Sequence, residues 1–271
     1  MDERTVNWIN RLGAFCGTRD IPELTQGALA RAYGFRQADV LVLFGGSILC
    51  GGDILADAMR EQVAKRTVIV GGEGHTTQAL RDTVHREIPQ ICTQGLPEAQ
   101  VFAAYLNLRY GLAADFLECT STNCGNNITC LLELLRERHV DWDSIILCQD
   151  AAMQRRMDAG LRKYVPQATI INFAAYSVKT AVRHGELAIE YPPRGMWTPM
   201  RYLELLMGEI PRLMDNESGY GPRGKGYIAH VDIPEEVLEA FEGLRKEYAG
   251  LVRRANPRYA SQEDGPHQSE W

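Results

Sequence analysis

The most restrictive feature of this sequence is a recurring unit in which a short apolar run ends at small and polar residues and a helix-like stretch follows. The unit occurs at Val40–Phe44 before Gly45-Gly46-Ser47, at Thr67–Val70 before Gly71-Gly72-Glu73-Gly74-His75, and at Ile145–Cys148 before Gln149-Asp150. Runs that are apolar on both faces are typical of central strands in a parallel sheet covered by helices. Because ligands of such sheets bind outside the carboxyl ends of the strands, the sequence predicts where a ligand binds.

The alternation of strand and helix patterns divides the chain into regions. It runs through residues 39–175 and predicts an α/β core with right-handed crossovers, a doubly wound and mostly parallel sheet. A helical segment, 1–38, precedes this core, and a loop-rich and helical extension, 176–255, is expected to pack on it. Residues 256–271 are predicted to be a disordered tail. The 271 residues, 45% of them apolar, are enough for one large core.

Composition excludes several classes of protein. The net charge is −6 and the basic residues do not cluster, so no nucleic-acid partner is expected. The polar first residues do not resemble a signal peptide, and no run of about 18 apolar residues suggests a membrane span. Seven scattered cysteines without a C-x-x-C pair favour free thiols in the cytoplasm and indicate no metal site. The oligomeric state is left open.

Several local boundaries are also predicted. Asp53 is a favourable N-cap residue for a helix over Asp53–Lys65. A weak strand is expected at Ile91–Thr93. After Phe173 the alternation stops, so loops and helices are expected there, ending in a long helix over Glu235–Arg254.

The first glycine loop, Gly45-Gly46-Ser47, allows a backbone to approach a ligand closely and offers N–H groups to a polar or anionic group. It is not a Walker loop, because Gly52-Asp53 stands where Lys and Ser/Thr are required. A tight turn that contacts no ligand is the alternative interpretation.

The second glycine loop contains Gly72-Glu73-Gly74 but lacks the third glycine of a dinucleotide fingerprint, since Thr77 takes its place. No acidic residue ends the next predicted strand to hold a ribose, which argues against a nicotinamide enzyme. His75 is a candidate general acid or base near neutral pH, or a residue that only shapes the loop.

The densest polar cluster is Thr120–Asn127, between a strand and an apolar helix. Its hydroxyls and amides can cap the helix, bind a ligand, or do both, and the candidate ligand contacts are Ser121, Thr122, Asn123 and Asn127. Cys124, at the helix start, is a weaker candidate nucleophile.

A fourth set of polar residues follows the strand Ile145–Cys148. Gln149 and Asp150 are candidate ligand contacts, and Asp150 is also a candidate N-cap and a weak candidate for catalysis beside His75. Arg155 is placed to reach a carboxylate or phosphate, with a solvated basic face as the alternative. Glu98, near the start of another helix, completes the set and is favourable beside the helix dipole in any case.

Taken in order, these motifs resemble the SanA–ElyC–YdcF domain family, and the segment GEIPRLMDNESGYGPRGKGYIAHVDIP resembles its YdcF-like branch. The resemblance covers roughly residues 3–250. It implies a Rossmann-like core with a helical extension in a cytoplasmic protein, and binding of S-adenosyl-L-methionine without an assigned reaction. The family's polar motifs correspond to Gly45, Gly46, Gly71, Gly72, Glu98, Asn123, Asn127 and Arg155. This chain departs from the family at two positions. It has Asn126 where the family often has Glu, and Ala152 where the family often has His.

The sequence therefore predicts a small-molecule-binding protein for S-adenosyl-L-methionine or a related nucleoside. The alternatives are a hydrolase or a transferase acting on a nucleotide-like or phosphorylated small molecule. Against a methyltransferase, neither glycine loop of this chain is the acidic G-x-G-x-G loop that is usual in that class.

Overall fold

The computed structural model describes residues 1–46, 48–74 and 76–250. Its helices are α1 Glu3–Cys16, α2 Gln26–Tyr33, α3 Cys50–Arg60, α4 Thr77–Glu87, α5 Glu98–Tyr110, α6 Cys124–Glu137, α7 Gln154–Tyr164, α8 Pro199–Leu213 and α9 Glu235–Glu247. Its strands are β1 Ala38–Phe44, β2 Ala64–Val70, β3 Phe116–Glu118, β4 Ser144–Cys148, β5 Thr169–Asn172, β6 Lys179–Arg183 and β7 Glu186–Glu190. The predicted tail, 256–271, lies outside the described residues.

Strands β1 to β5 form one sheet in the order β3-β2-β1-β4-β5, and each neighbouring pair is parallel. The chain moves outward from β1 to β3, then returns to the other side of β1 for β4 and β5. This reversal between β1 and β4 is the topological switch point of a doubly wound sheet. The predicted Rossmann-like α/β fold is confirmed.

Both faces of the sheet are covered, as the continuous apolar strands require. On β1, Leu41 and Leu43 face a large core that includes helices α1, α3, α5 and α8, whereas Val40 and Val42 face a second core with α6 and α7. All seven residues of β1 are buried. The strand therefore stabilises the fold through both faces and fixes the position of the loop that follows it.

The N-terminal and C-terminal regions pack together beside the sheet. Helix α1, capped by the Asp2 side chain, contacts α8, α9 and the hairpin strand β6. The Thr5 hydroxyl donates to Glu247 Oε2 at 2.8 Å, and Asn10 hydrogen-bonds both the N–H and the C=O of Thr180. These contacts attach the C-terminal extension to helix α1.

The predicted bounds of α3, Asp53–Lys65, are wrong at both ends, since the helix ends at Arg60 and β2 begins at Ala64. The helix begins at Cys50, and Asp53 lies in its first turn, where its carboxylate accepts hydrogen bonds from Tyr105 and Tyr110. One of the two glycines near this start, Gly52, is explained by packing, because a Cβ there would lie 2.7 Å from a Tyr105 ring carbon.

Three further expectations on secondary structure are wrong. Residues 91–93 are loop, since β3 occupies the sheet position beside β2. The extension contains the antiparallel hairpin β6–β7, which was not expected after Phe173. The closing helix α9 ends at Glu247.

No helix in the described part of the chain combines the length and the apolar character that a bilayer crossing needs.

Candidate functional site

The loops after β1, β2, β3 and β4 meet at one edge of the sheet. The last residues of these strands are in register, with Phe44 paired to Val70, Val70 to Glu118, and Leu43 to Cys148. The candidate residues that follow them therefore lie at the same carboxyl edge, on both sides of the switch point. Ser47 and His75 belong to these loops by sequence but lie outside the described residues.

Glu98 occupies the space between the first two loops. A Cβ at Gly45 would lie 2.5 Å from Glu98 Oε2, and a Cβ at Gly71 would lie 3.0 Å from Glu98 Cβ. Both glycines are therefore explained by close packing around a carboxyl group. Contact between their backbones and a ligand stays a prediction.

Hydrogen bonds hold Glu98 in this position. Its Oε1 accepts from the Thr77 hydroxyl at 2.8 Å, and that hydroxyl in turn accepts from Gly74 N at the same distance. The amides of Glu98 and Ala99 donate to the carbonyls of Gly72 and Gly71, so the loop oxygens satisfy the start of α5. Burial raises the pKa of the Glu98 carboxyl, against the opposing effect of its hydrogen bonds with the threonines.

The second and third loops are in close contact. A Cβ at Gly72 would lie 2.2 Å from Ser121 O, so only glycine fits there without movement, whereas a Cβ at Gly74 would lie 3.2 Å from Thr122 O. Glu73, on the same loop, is largely exposed and forms an ion pair at 3.2 Å with the buried Arg81. Glu73 is thus the carboxylate of this loop that solvent reaches.

Glu118, the last residue of β3, organises the third loop and was not among the predicted site residues. Its carboxylate accepts from the N–H and hydroxyl groups of both Thr120 and Ser121, at distances of 2.5–3.0 Å. An acidic residue at the end of a short strand was the only sequence signal for this role. The loop is consequently fixed by the strand that precedes it.

The polar cluster at the start of α6 serves first as a helix cap. The Asn123 side chain accepts from the N–H groups of Gly125 and Asn126, and Asn126 Oδ1 accepts from Asn123 N, which completes a capping box. Ser121 and Asn127 are buried, whereas Thr122 is exposed. Of the four candidate ligand contacts in the cluster, Thr122 and the partly exposed Asn123 are the ones that solvent reaches.

Gln149 joins the loops after β1 and β4. Its side chain donates to Gly45 O at 3.1 Å and accepts from Asp150 N at 2.6 Å. Its own N–H donates to the buried Gln154 side chain, which also donates to Asn172. The carboxyl edge on both sides of the switch point is therefore one hydrogen-bonded unit.

Asp150 is buried and fully hydrogen-bonded. Tyr176 Oη donates to Oδ1 at 2.6 Å, Trp197 Nε1 donates to Oδ2 at 2.8 Å, and Ala152 N donates to Oδ1 at 2.9 Å. Burial raises the pKa of this carboxyl although all three donors oppose the rise. Asp150 is not the helix N-cap, because α7 begins only at Gln154. No motif in the sequence indicated Tyr176 or Trp197.

The two arginines in the first turn of α7, Arg155 and Arg156, contact other helices. Arg155 Nε donates to the carbonyl of Phe15, and its guanidinium stacks on the Phe15 ring. Arg156 forms a buried ion pair with Glu209 on α8, with Nη2 and Oε1 3.0 Å apart. In this structure Arg155 contacts α1, and its contact with a ligand stays a prediction.

The space between the first and fourth loops is small. A cavity of about 10 Å³ is lined by residues that include Gly46, Ile48, Phe102 and Asp150. That volume suits about one water molecule and no larger guest.

Within the described residues no three His, Cys, Asp or Glu side chains are arranged to hold a metal ion.

A comparison with models of protein families finds none that matches this chain. The resemblance to the SanA–ElyC–YdcF family therefore stays a prediction.

Proposed function

We propose that this chain binds a small polar molecule at the carboxyl edge of its sheet, and that the molecule is S-adenosyl-L-methionine or a related nucleoside. The observation that carries the proposal is the meeting of the loops after β1, β2, β3 and β4 at one switch point. Ligands of doubly wound sheets bind in this crevice.

The exposed groups at this edge can be matched to the parts of such a ligand that they would contact. Glu73 has 67% of its side chain exposed and is suited to accept hydrogen bonds from ribose hydroxyls. Glu98 is less suited to that role, because it is buried and already hydrogen-bonded to Thr77. The amides of Gly45, Gly71, Gly72 and Gly74 donate within the protein, so they are not assigned to the amino-acid carboxylate of the ligand.

Isothermal titration with S-adenosyl-L-methionine tests the proposal. Glu73→Ala is expected to weaken binding about tenfold, since a hydrogen bond to a charged group contributes about 1.5–3 kcal/mol. Glu137→Ala removes another exposed carboxylate, at the far end of α6, and is expected to leave the affinity unchanged. Absence of binding at millimolar ligand, or equal affinity in the two variants, would contradict the proposed site.

The second candidate function is acid–base chemistry on a phosphorylated or nucleotide-linked molecule, in the manner of a hydrolase or transferase. It is favoured by the two buried carboxyl groups with raised pKa, Glu98 and Asp150, because such groups concentrate at active sites. A panel of phosphoesters tests it, with Asp150→Asn expected to abolish turnover. Turnover that is the same in this variant would remove Asp150 from the mechanism.

We also propose a cytoplasmic location. The seven cysteines all lie within the described residues and none is paired in a disulfide. Free thiols are typical of a reducing compartment.

A further inference from the structure

The connection between β7 and α8 crosses the carboxyl edge of the sheet. We call residues 191–198 the strap. Its side chains and backbone contact the start of α3, the end of α4 and the loop after β4, so it spans the switch point from one side to the other.

The strap fills polar positions that a ligand of this edge would use. Trp197 Nε1 donates to Asp150 Oδ2 at 2.8 Å. The carbonyl of Arg194 accepts from Cys50 N at 3.2 Å, which satisfies the first N–H of α3, the helix that follows β1. This N-terminus has no side-chain cap, so a group from the strap takes the place of one.

The backbone of the strap lies directly on α3. Gly195 has φ of +75°, and a Cβ there would lie 3.0 Å from Leu49 N. Only glycine combines this left-handed conformation with so close an approach. The path of the strap is therefore specified by sequence at this point.

The first half of the strap is weakly attached. The Arg194 guanidinium lies 3.5 Å from Glu87 and 3.9 Å from Asp53, and 36% of its side chain is exposed. Exposed ion pairs contribute little stability. Tyr191, where the strap begins, is 92% exposed. Release of the strap breaks these polar contacts and removes Met196 and Trp197 from the core against which they pack, but it leaves the sheet covered by its helices. It therefore costs less than unfolding of the core.

We propose that the strap is a lid, closed in this structure, whose release exposes Asp150 and the N-terminus of α3 together. The cavity beside Gly46 and Asp150 measures about 10 Å³, which is too small for a guest larger than water. The strap does not line this cavity but holds Asp150, which does, so release of the strap is expected to admit a larger guest by freeing that side chain. That admission of a guest rests on the proposed function, whereas the coupled release of the strap and α3 does not.

Hydrogen exchange followed by mass spectrometry tests the lid in the full chain. Trp197→Phe keeps an aromatic ring but removes the donor to Asp150. Exchange of the strap amides and of the first amides of α3 is expected to rise together, about tenfold. The matched control, Trp142→Phe, lies before β4 at the opposite edge of the sheet and is expected to change neither segment. Gly195→Ala, which pushes the strap off Leu49, is expected to act like Trp197→Phe.

Titration of the same variants with S-adenosyl-L-methionine separates the two proposals. If the lid gates the site, Trp197→Phe binds more tightly than wild type, by up to about the same tenfold, because less of the protein is closed. Unchanged exchange in both strap variants, or faster exchange in the strap without α3, overturns the lid. Coupled exchange without ligand binding in any variant supports the lid and overturns the proposed ligand alone.

Discussion

The contact between the loops after β2 and β3 can be tested by one added methyl group. Gly72→Ala places a Cβ 2.2 Å from Ser121 O and 2.8 Å from Cys119 O, both backbone atoms. Gly74→Ala, two residues later, places a Cβ 3.2 Å from Thr122 O. To reach the same separation, the loops at Gly72 must move apart by 3.2 − 2.2 = 1.0 Å.

This movement has a cost that can be worked out from the contacts. Overpacking of a buried position costs about 1–3 kcal/mol. Separation also strains the bonds from Glu98 N to Gly72 O at 2.9 Å and from Gly72 N to Ser121 Oγ at 3.3 Å. A typical net hydrogen bond contributes about 1 kcal/mol. We therefore expect Gly72→Ala to lower the free energy of unfolding by about 2–4 kcal/mol.

Urea unfolding followed by circular dichroism measures this difference. With a urea dependence of about 2–3 kcal/mol/M, the midpoint for Gly72→Ala is expected to fall by about 0.7–2 M. Gly74→Ala, the matched control, is expected to stay within about 1 kcal/mol of wild type, since its new contact is tolerable and alanine restricts the unfolded chain. Equal midpoints for the two variants would refute the close approach of these loops.

Three other predictions follow from buried or paired charges. Burial raises the pKa of Glu98, so the stabilising effect of this residue is present below its unfolded pKa of about 4.5 and is lost as the pH rises through its folded pKa. Glu98→Gln should remove that part of the pH dependence of the free energy of unfolding. An identical pH dependence in the variant would contradict this prediction. Hydrogen bonds, first the one with Asp215, raise the pKa of His230. The contribution of His230 to the stability of the fold is therefore present below about pH 6.5 and is lost as the pH rises through the folded pKa. An imidazole that titrates at or below its ordinary pKa in an NMR experiment would disprove this. Glu209→Ala leaves Arg156 buried without this partner and should lower the free energy of unfolding by about 3–5 kcal/mol. Replacement of both residues with leucine should restore much of that stability. A double variant as unstable as the single one would exclude the explanation.

The sheet and the place where its loops meet could be predicted from the sequence for a simple physical reason. Strands such as Val40–Phe44 are apolar at consecutive positions, and only a sheet covered on both faces buries them all. Parallel pairing then places every following loop at the same edge. The prediction of the carboxyl edge thus needed no knowledge of side-chain contacts.

Contacts between distant parts of the chain could not be predicted in this way. The space left open by Gly45 and Gly71 is filled by Glu98, which the glycine pattern alone does not indicate. Arg155 reaches Phe15 on α1, and Trp197 reaches Asp150 across 47 residues of sequence. Such partners depend on how whole elements pack, which local periodicity does not determine.

The hairpin β6–β7 was missed although a local signal exists. Its turn is His184-Gly185, with φ of +53° and +83°, as in the two-residue turns that favour right-twisted hairpins. Asn-Gly or Asp-Gly is the usual signal for this turn. Histidine at the first position therefore concealed a turn whose glycine and flanking strands fit the pattern.

The packing of α1 against α8 and α9 also affects how the chain is made. Helix α1 leaves the ribosome before α8 and α9 have been made. The hydrogen bond from Thr5 to Glu247 cannot form until 242 further residues have been added. Until then its apolar side chains, Ile9 and Leu12 among them, have no permanent place in the core. During synthesis this helix therefore keeps apolar side chains uncovered until α8 and α9 have been made.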